Sequence, residues 1–344
     1  MKTEHILIIR FSAMGDVAML VPVVANLAKQ YPNTRITVLS RPFAKAFFEN
    51  IAPNVGFMGA DLKGENKGIK GLNKLYRRLQ AKHFTAIADM HDVLRTKYLR
   101  FRFLVDRKKI SHIDKHRKEK KLLCSGNKEY FKQLPSSFEN YAAVLERIGY
   151  PITLSHLTSH HSPLKDLPEP FNTKHENEKW IGIAPFAAHK GKIYPLDKMK
   201  EVVRIITNKY NNVRVYLFGA GKEMEILNQW VSEFPSCINA SAVLKGLSKE
   251  LVLMSNLDVM VSMDSANMHL ASMMGTPVVS IWGATHPYAG FMGWEQKEEY
   301  AVQKNMDCRP CSVYGNKQCA RGEYACLNDI KPEEIFKKIE NFIF

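Results

Sequence analysis

The chain has 344 residues, 45% of them hydrophobic, enough for two domains of ordinary size with separate cores. Lys and Arg number 49 against 34 Asp and Glu, a formal net charge of +15 that calls for an anionic partner. No run of ~18 apolar residues is present to span a bilayer. The first apolar run, HILII, ends at Arg10, so it reads as a first strand and not a signal peptide, and a cytoplasmic location is expected.

In chain order, the first half alternates strand and helix. Extended runs at His5–Arg10, Arg35–Leu39, Val55–Gly59, Ala86–Met90 and Lys109–Ile113 are separated by helical patterns at Val17–Gln30, Pro42–Asn50, Gly71–Ala81 and Leu94–Leu104. Ser136 and Glu139 form a capping box for a helix up to Ile148. Residues 157–179 are polar, proline-bearing and aperiodic, and read as an interdomain linker. The second half resumes with Trp180–Ala184, a helix through Lys198–Tyr210, Val213–Phe218, a helix from Lys222, Cys237–Ala240 and a helix at Ser248–Ser255. Leu257–Ser262, a helix and Val278–Trp282 follow, and the chain closes on a helix at Pro332–Ile343. Such alternation predicts two parallel sheets, with domains at 1–156 and 180–330.

Two strand-to-helix turns carry the chemistry. After the first strand comes Phe11–Ser12–Ala13–Met14–Gly15–Asp16, where Gly15 permits close approach of backbone to a ligand and Asp16 places a carboxylate at a helix start. After Leu257–Ser262, Asp264 and Ser265 are placed to cap a helix whose first-turn amides suit a phosphate or diphosphate, with His269 one turn further on. Taken singly, each residue reads more readily as a plain helix cap or a satisfied half-buried histidine.

Together, RFSAMGDVAMLVP and MDSANMHLASMMGTPVVSIWG resemble the ADP-heptose:lipopolysaccharide heptosyltransferases, glycosyltransferase family 9. The resemblance extends to APFAAHKGKIYP at Ala184–Pro195, LFGAGKEME at Leu217–Glu225, and the cysteine-bearing tail from Cys308. The sequence departs from the family pattern at Ala266, where glycine is usual, at Asn267, and at Ala187–Ala188, where many relatives place hydroxyls.

The resemblance implies a GT-B type α/β fold: two Rossmann-like parallel-sheet domains facing a cleft, an N-terminal acceptor domain and a C-terminal nucleotide-sugar domain. The last helix, 331–344, would pack back on the N-terminal domain. It implies inverting transfer of a heptose from ADP-heptose to the inner core of lipopolysaccharide, with Asp16 as general base. Gly15, Lys192, Glu223, Asp264, Ser265, Ala266 and His269 would form the donor site, with Glu223 on a ribose hydroxyl. Lys192 and the helix amides after Asp264 would offset the leaving phosphate, so no metal or other cofactor is expected.

Ser12, Arg107, Lys108 and Lys109 are the candidate acceptor-binding residues. The last three belong to a basic stretch, Arg95–Lys121, with Tyr98, Phe101 and Phe103 interleaved. So many like charges in a short span repel one another and call for an anionic neighbour, such as the phosphates and carboxylates of a glycolipid at the inner face of the inner membrane. The same stretch leaves open a nucleic-acid-binding module, although no nucleic-acid motif accompanies it. A transferase using another sugar nucleotide also stays open. A dinucleotide oxidoreductase is disfavoured, because no G-x-G-x-x-G follows the first strand. Cys308, Cys311, Cys319 and Cys326 have a spacing open to a zinc, a disulfide or reduced thiols.

Overall fold

The computed structural model describes residues 4–156 and 162–344. The first part of the expected linker, 157–161, lies outside the described residues. The chain divides into two units: 4–115 with 136–156, and 116–135 with 162–344.

The first unit is built on β1 (His5–Ile9), β2 (Arg35–Ser40), β3 (Val55–Gly59), β4 (Ala86–Asp89) and β5 (Lys109–His112), in the order β3-β2-β1-β4-β5. Every pairing is parallel, with Ile9 of β1 opposite Leu39 on one side and Asp89 on the other. All five residues of β1 are buried, as a central strand of a sheet covered on both faces demands. On one face Leu7, Ile9 and Ile87 pack with Leu72, Leu75, Tyr76 and Leu79 of the helix Gly68–Gln80 and with Leu99 and Phe103 of the helix Leu94–Val105. The helix Ser137–Arg147 has the expected capping box: Ser136 Oγ accepts from the Glu139 N–H, and Glu139 accepts from the Ser136 N–H.

The second unit holds β6 (Lys179–Ala184), β7 (Val213–Leu217), β8 (Cys237–Asn239), β9 (Val259–Met263), β10 (Val278–Ile281) and β11 (Ala301–Val302), in the order β11-β10-β9-β6-β7-β8, again all parallel. Residues 162–178 belong to it as well: Phe171 is fully buried against Tyr216, and Lys174 pairs with Asp258 at 2.7 Å.

Two boundaries differ from the sequence reading. The helix Pro332–Ile343 lies in the core of the second unit and not on the N-terminal domain. Its stripe of Ile335, Phe336, Ile339 and Ile343 is buried beside the helix Leu196–Lys209, and Glu340 takes Lys209 Nζ at 2.6 Å and the Tyr210 hydroxyl at 2.7 Å. Residues 116–135 also leave the N-terminal half. Leu123 and Leu134 bury themselves with Ala289, the Leu134 N–H donates to the Tyr288 carbonyl, and Lys120 Nζ sits 4.2 Å from the centre of the Phe291 ring. The helix Arg117–Leu123 in this segment was not foreseen, because its apolar contribution is only two leucines among five charged residues.

Candidate active site

In an open parallel sheet, ligands bind beyond the carboxyl ends of the strands, where the strand order reverses direction. In the first sheet that point lies between β1 and β4, and the turns after these strands meet there. Asp16 stands in the short helix Met14–Ala18 that follows β1, its side chain 29% exposed. One carboxylate oxygen, Oδ2, takes both the Arg10 guanidinium at 2.6 Å and the Ala13 N–H at 3.0 Å. Arg10 is buried, donates also to the Met90 carbonyl, and lies 5.6 Å from the Tyr141 ring centre. Burial alone would lower the guanidinium pKa, but Tyr141 and Asp16 outweigh it and raise it, so the charge is retained. The Tyr141 hydroxyl donates to the Asp16 carbonyl at 3.1 Å and ties the turn to the helix Ser137–Arg147. Gly15 is buried beneath this turn.

The turn after β4 supplies the other wall. Asp89 is fully buried, and its Oδ1 accepts the N–H groups of His91 and Asp92, each at 2.9 Å. Arg100 links Asp89 at 3.2 Å to Asp92 at 2.8 Å. The His91 ring faces the β1 turn, 3.4 Å from the Phe11 nitrogen and 3.3 Å from Ser12 Oγ.

In the second sheet the reversal lies between β6 and β9. Lys192 follows β6 and Asp264 follows β9, and they meet across the reversal at 2.8 Å, with side chains only 15% and 4% exposed. Three glycines permit this. A Cβ on Gly315, which has φ +73°, would lie 2.6 Å from Cγ of Lys192, and one on Gly191 would lie 2.8 Å from the Gly315 carbonyl oxygen. One on Gly283 would lie 2.6 Å from the Gly191 carbonyl oxygen. The lysine stem therefore runs through a channel that any side chain would block.

The helix Ala266–Met273 begins at Ser265, which does not cap it. The expected Asp264–Ser265 cap is absent because Lys192 draws off the Asp264 carboxylate, and Ser265 Oγ bonds Ser262 Oγ at 3.2 Å. Ala266 opens the helix half-buried, and His269 is buried one turn on. The reversal of the second sheet thus presents a lysine, a carboxylate and a helix start without a side-chain cap, a set suited to a phosphorylated ligand.

The family model for "Glycosyltransferase family 9 (heptosyltransferase)" matches residues 72–321, more than half of the chain. The chain belongs to glycosyltransferase family 9. It is 26% identical over 289 residues to the lipopolysaccharide core heptosyltransferase OpsX of Haemophilus influenzae, covering 83% of this chain and 80% of that protein. It is 25% identical to lipooligosaccharide heptosyltransferase 2 of Campylobacter jejuni over 51% of this chain and 57% of that one. Among solved structures, the family 9 glycosyl transferase of Veillonella parvula superposes with a TM-score of 0.74 at 18% identity, covering 100% of this chain and 98% of that one. The E. coli ADP-heptose lipopolysaccharide heptosyltransferase II gives 0.68 at 17% identity, covering 98% of each chain. Heptosyltransferase WaaC of E. coli with ADP gives 0.67 at 14%, covering 98% and 99%. The two parallel-sheet α/β units are therefore those of the GT-B type, and the chain is a glycosyltransferase of the lipopolysaccharide heptosyltransferase family.

Within this family 9 chain the expected site residues divide. Gly15, Asp16 and Ser12 gather at the reversal of the first sheet, and Lys192, Asp264, Ser265, Ala266 and His269 at that of the second. Glu223 lies beyond β7, one strand removed from the reversal, and its Oε2 accepts the Ala220 N–H at 2.8 Å, so it holds the start of its own helix. Arg107, Lys108 and Lys109 are not with Ser12 and Asp16. Lys109 is the first residue of β5, so the three lie at the amino ends of the parallel strands, the edge opposite the Asp16 turn. The cations of the basic stretch that do reach the Asp16 edge include Arg100 and Lys97, which pair with the Asp89 and Asp92 carboxylates, and Arg95 and Lys115, both of which bear electrostatically on His91.

Arg10, Asp89, His91 and Arg100 were missed. Their one signal was the string Ala88–Asp89–Met90–His91–Asp92 closing a strand, which gains meaning only once β4 is known to lie beside β1. All six cysteines are free thiols, and among the described residues no group of three or more His, Cys, Asp or Glu is arranged to hold a metal ion.

Proposed function

We propose that the enzyme transfers a heptose from ADP-heptose to an inner-core hydroxyl of lipopolysaccharide with inversion at the anomeric carbon. The observation that carries this reading is that Lys192, Asp264 and an uncapped helix start stand at the reversal of the second sheet, a set suited to a diphosphate; Asp16, at the reversal of the first, offers the carboxylate base. Relatives support the donor: heptosyltransferase II of E. coli is named for ADP-heptose, and WaaC was solved with ADP. As the acceptor hydroxyl attacks, its proton passes to the Asp16 carboxylate, the new bond forms on the face opposite the diphosphate, and the bond to the β-phosphate oxygen breaks. ADP departs with growing negative charge, which Lys192 and the first-turn amides of the helix Ala266–Met273 offset; Ser265 stands at the start of that helix and His269 one turn into it. No step requires a metal in this scheme.

The acceptor is an anionic glycolipid, and we place the enzyme in the cytoplasm, peripheral to the inner membrane face. No helix among the described residues is long and apolar enough to cross a membrane. The helix Leu94–Val105 instead exposes Leu94, Phe101, Leu104 and Val105, each at least 63% accessible, among the cations of the basic stretch. Apolar side chains ringed by positive charge suit an anionic bilayer surface.

The test is Asp16→Ala. ADP affinity by calorimetry should stay near that of the wild type while transfer to heptose-deficient lipopolysaccharide falls ~10²-fold or more, the usual scale of losing a general base. Near-native turnover would remove Asp16 from the mechanism, and tighter binding of UDP than of ADP would point to another sugar nucleotide.

A further inference from the structure

His91 stands at the Asp16 edge of the first sheet but takes no part in the transfer scheme. Its ring is 8% exposed and is held from two sides. The backbone is pinned by Asp89, which Arg100 pairs in turn, and the ring rests edge-on to Phe11, 6.1 Å between centroids. The hydrogen bonds of this ring have only one consistent assignment. The Phe11 amide can only donate, so Nδ1, which it meets at 3.4 Å, carries the lone pair. Burial, with Arg10 and Lys115 nearby, lowers the ring pKa to about 3, so the imidazole is neutral at ordinary pH and its single proton is on Nε2. Nε2 is 3.3 Å from Ser12 Oγ and so donates to it. Among the described residues the Ser12 hydroxyl has no other hydrogen-bond partner, and Ser12 is half-exposed.

We propose that His91 is a positioning residue that fixes the polarity of Ser12: by occupying an Oγ lone pair, it leaves the Ser12 hydroxyl to donate outward, to an acceptor-side oxyanion or hydroxyl oxygen beside Asp16. The inference rests on the acceptor binding at this edge, as in the proposed transfer. A histidine does this where an amine would not. A cation here would repel Arg10, while the neutral ring offers one acceptor to the β1 turn and one donor to the serine. Arg100 and Asp89 keep the ring in place without touching the substrate.

Two measurements test it, neither needing turnover. Long-range ¹⁵N–¹H spectra of histidine-labelled protein should show His91 as the Nε2–H tautomer with no titration from pH 8 to pH 5. A Nδ1–H ring, or one titrating near its ordinary value, would overturn the assignment. Affinity for Kdo–lipid A in detergent micelles should fall ~10-fold in both Ser12→Ala and His91→Leu, the scale of one hydrogen bond to a charged group. It should fall no further in the double variant, because His91 acts only through Ser12. His91→Gln, which also offers one acceptor and one donor, should recover most of the affinity, and ADP affinity should not change in any variant. Additive losses, or a Gln variant as weak as Leu at equal Tm, would overturn the proposal. Failure of the wild type to transfer heptose would sink the transfer reading alone, since both measurements are made without donor.

Discussion

Lys192 and Asp264 show how much one contact between side chains has to do at this site. Both are nearly enclosed, so neither charge is compensated by water, and removing one leaves the other buried without its partner, a loss on the order of 3 kcal/mol. Lys192→Ala should therefore act twice. It should lower the Tm of the second unit, and it should weaken ADP more than adenosine, because only ADP presents the phosphates that Lys192 would meet. Pairing it with Asp264→Asn should restore much of the Tm and none of the phosphate selectivity. Equal losses for ADP and adenosine would mean that Lys192 supports the fold alone.

Elements explain which cations of the basic stretch can serve the site. Parallel strands send every connecting helix from the carboxyl edge of the sheet back to the amino edge. Arg95, at the start of the helix Leu94–Val105, is thus beside His91, and Lys109, at the start of β5, is at the far edge. Arg95→Glu should raise the KM for lipid-linked acceptor several-fold at low salt, and Lys109→Glu should leave it within error, with ADP binding unchanged in both. A larger effect at Lys109 would reverse this assignment. The same logic shows what was legible beforehand. Strands such as Ile6–Ile9 and Val259–Met263 announce themselves by β-branched and apolar runs, and the Gly15–Asp16 and Asp264–Ser265 turns by the residues that end those runs. Strand order has no local signature. Nothing between Ala86 and Asp92 states that β4 lies beside β1, so Asp89 and His91 could not be placed next to Asp16. Arg10 reads as the polar end of a strand because, apart from Asp16, its partners Met90 and Tyr141 are eighty and more residues away.

At the scale of the whole molecule, each unit buries a histidine that acid must charge. His91 in the first unit has its pKa lowered to about 3 by burial and by Arg10, and His286 in the second has its own lowered to about 4 by burial and by Arg309. Both values lie below the ordinary 6.5, so between these limits the unfolded chain binds more protons than the folded one. The stability they represent is complete above pH 6.5 and is lost as pH falls toward 4 and then 3, by up to about 1.4 kcal/mol per pH unit for each ring. The Tm should drop between pH 6.5 and pH 4.5, and His286→Asn, whose side-chain oxygen can still accept the Tyr288 N–H, should flatten part of that drop. An unchanged slope in this variant would show that His286 is accessible to protons in the folded state.

The path of the chain between the units bears on synthesis at the ribosome. Residues 116–135 belong to the second unit, yet the chain then returns to the first for 136–156, which includes the helix carrying Tyr141. The first unit can close as soon as that helix emerges, with Asp16 and Arg10 already in place. The segment before it has to wait: Leu123, Leu134 and Lys120 find Ala289 and Phe291 only after more than a hundred further residues have been made. For that interval the nascent protein is a finished half with a basic, leucine-bearing loop whose covering residues are still to be made.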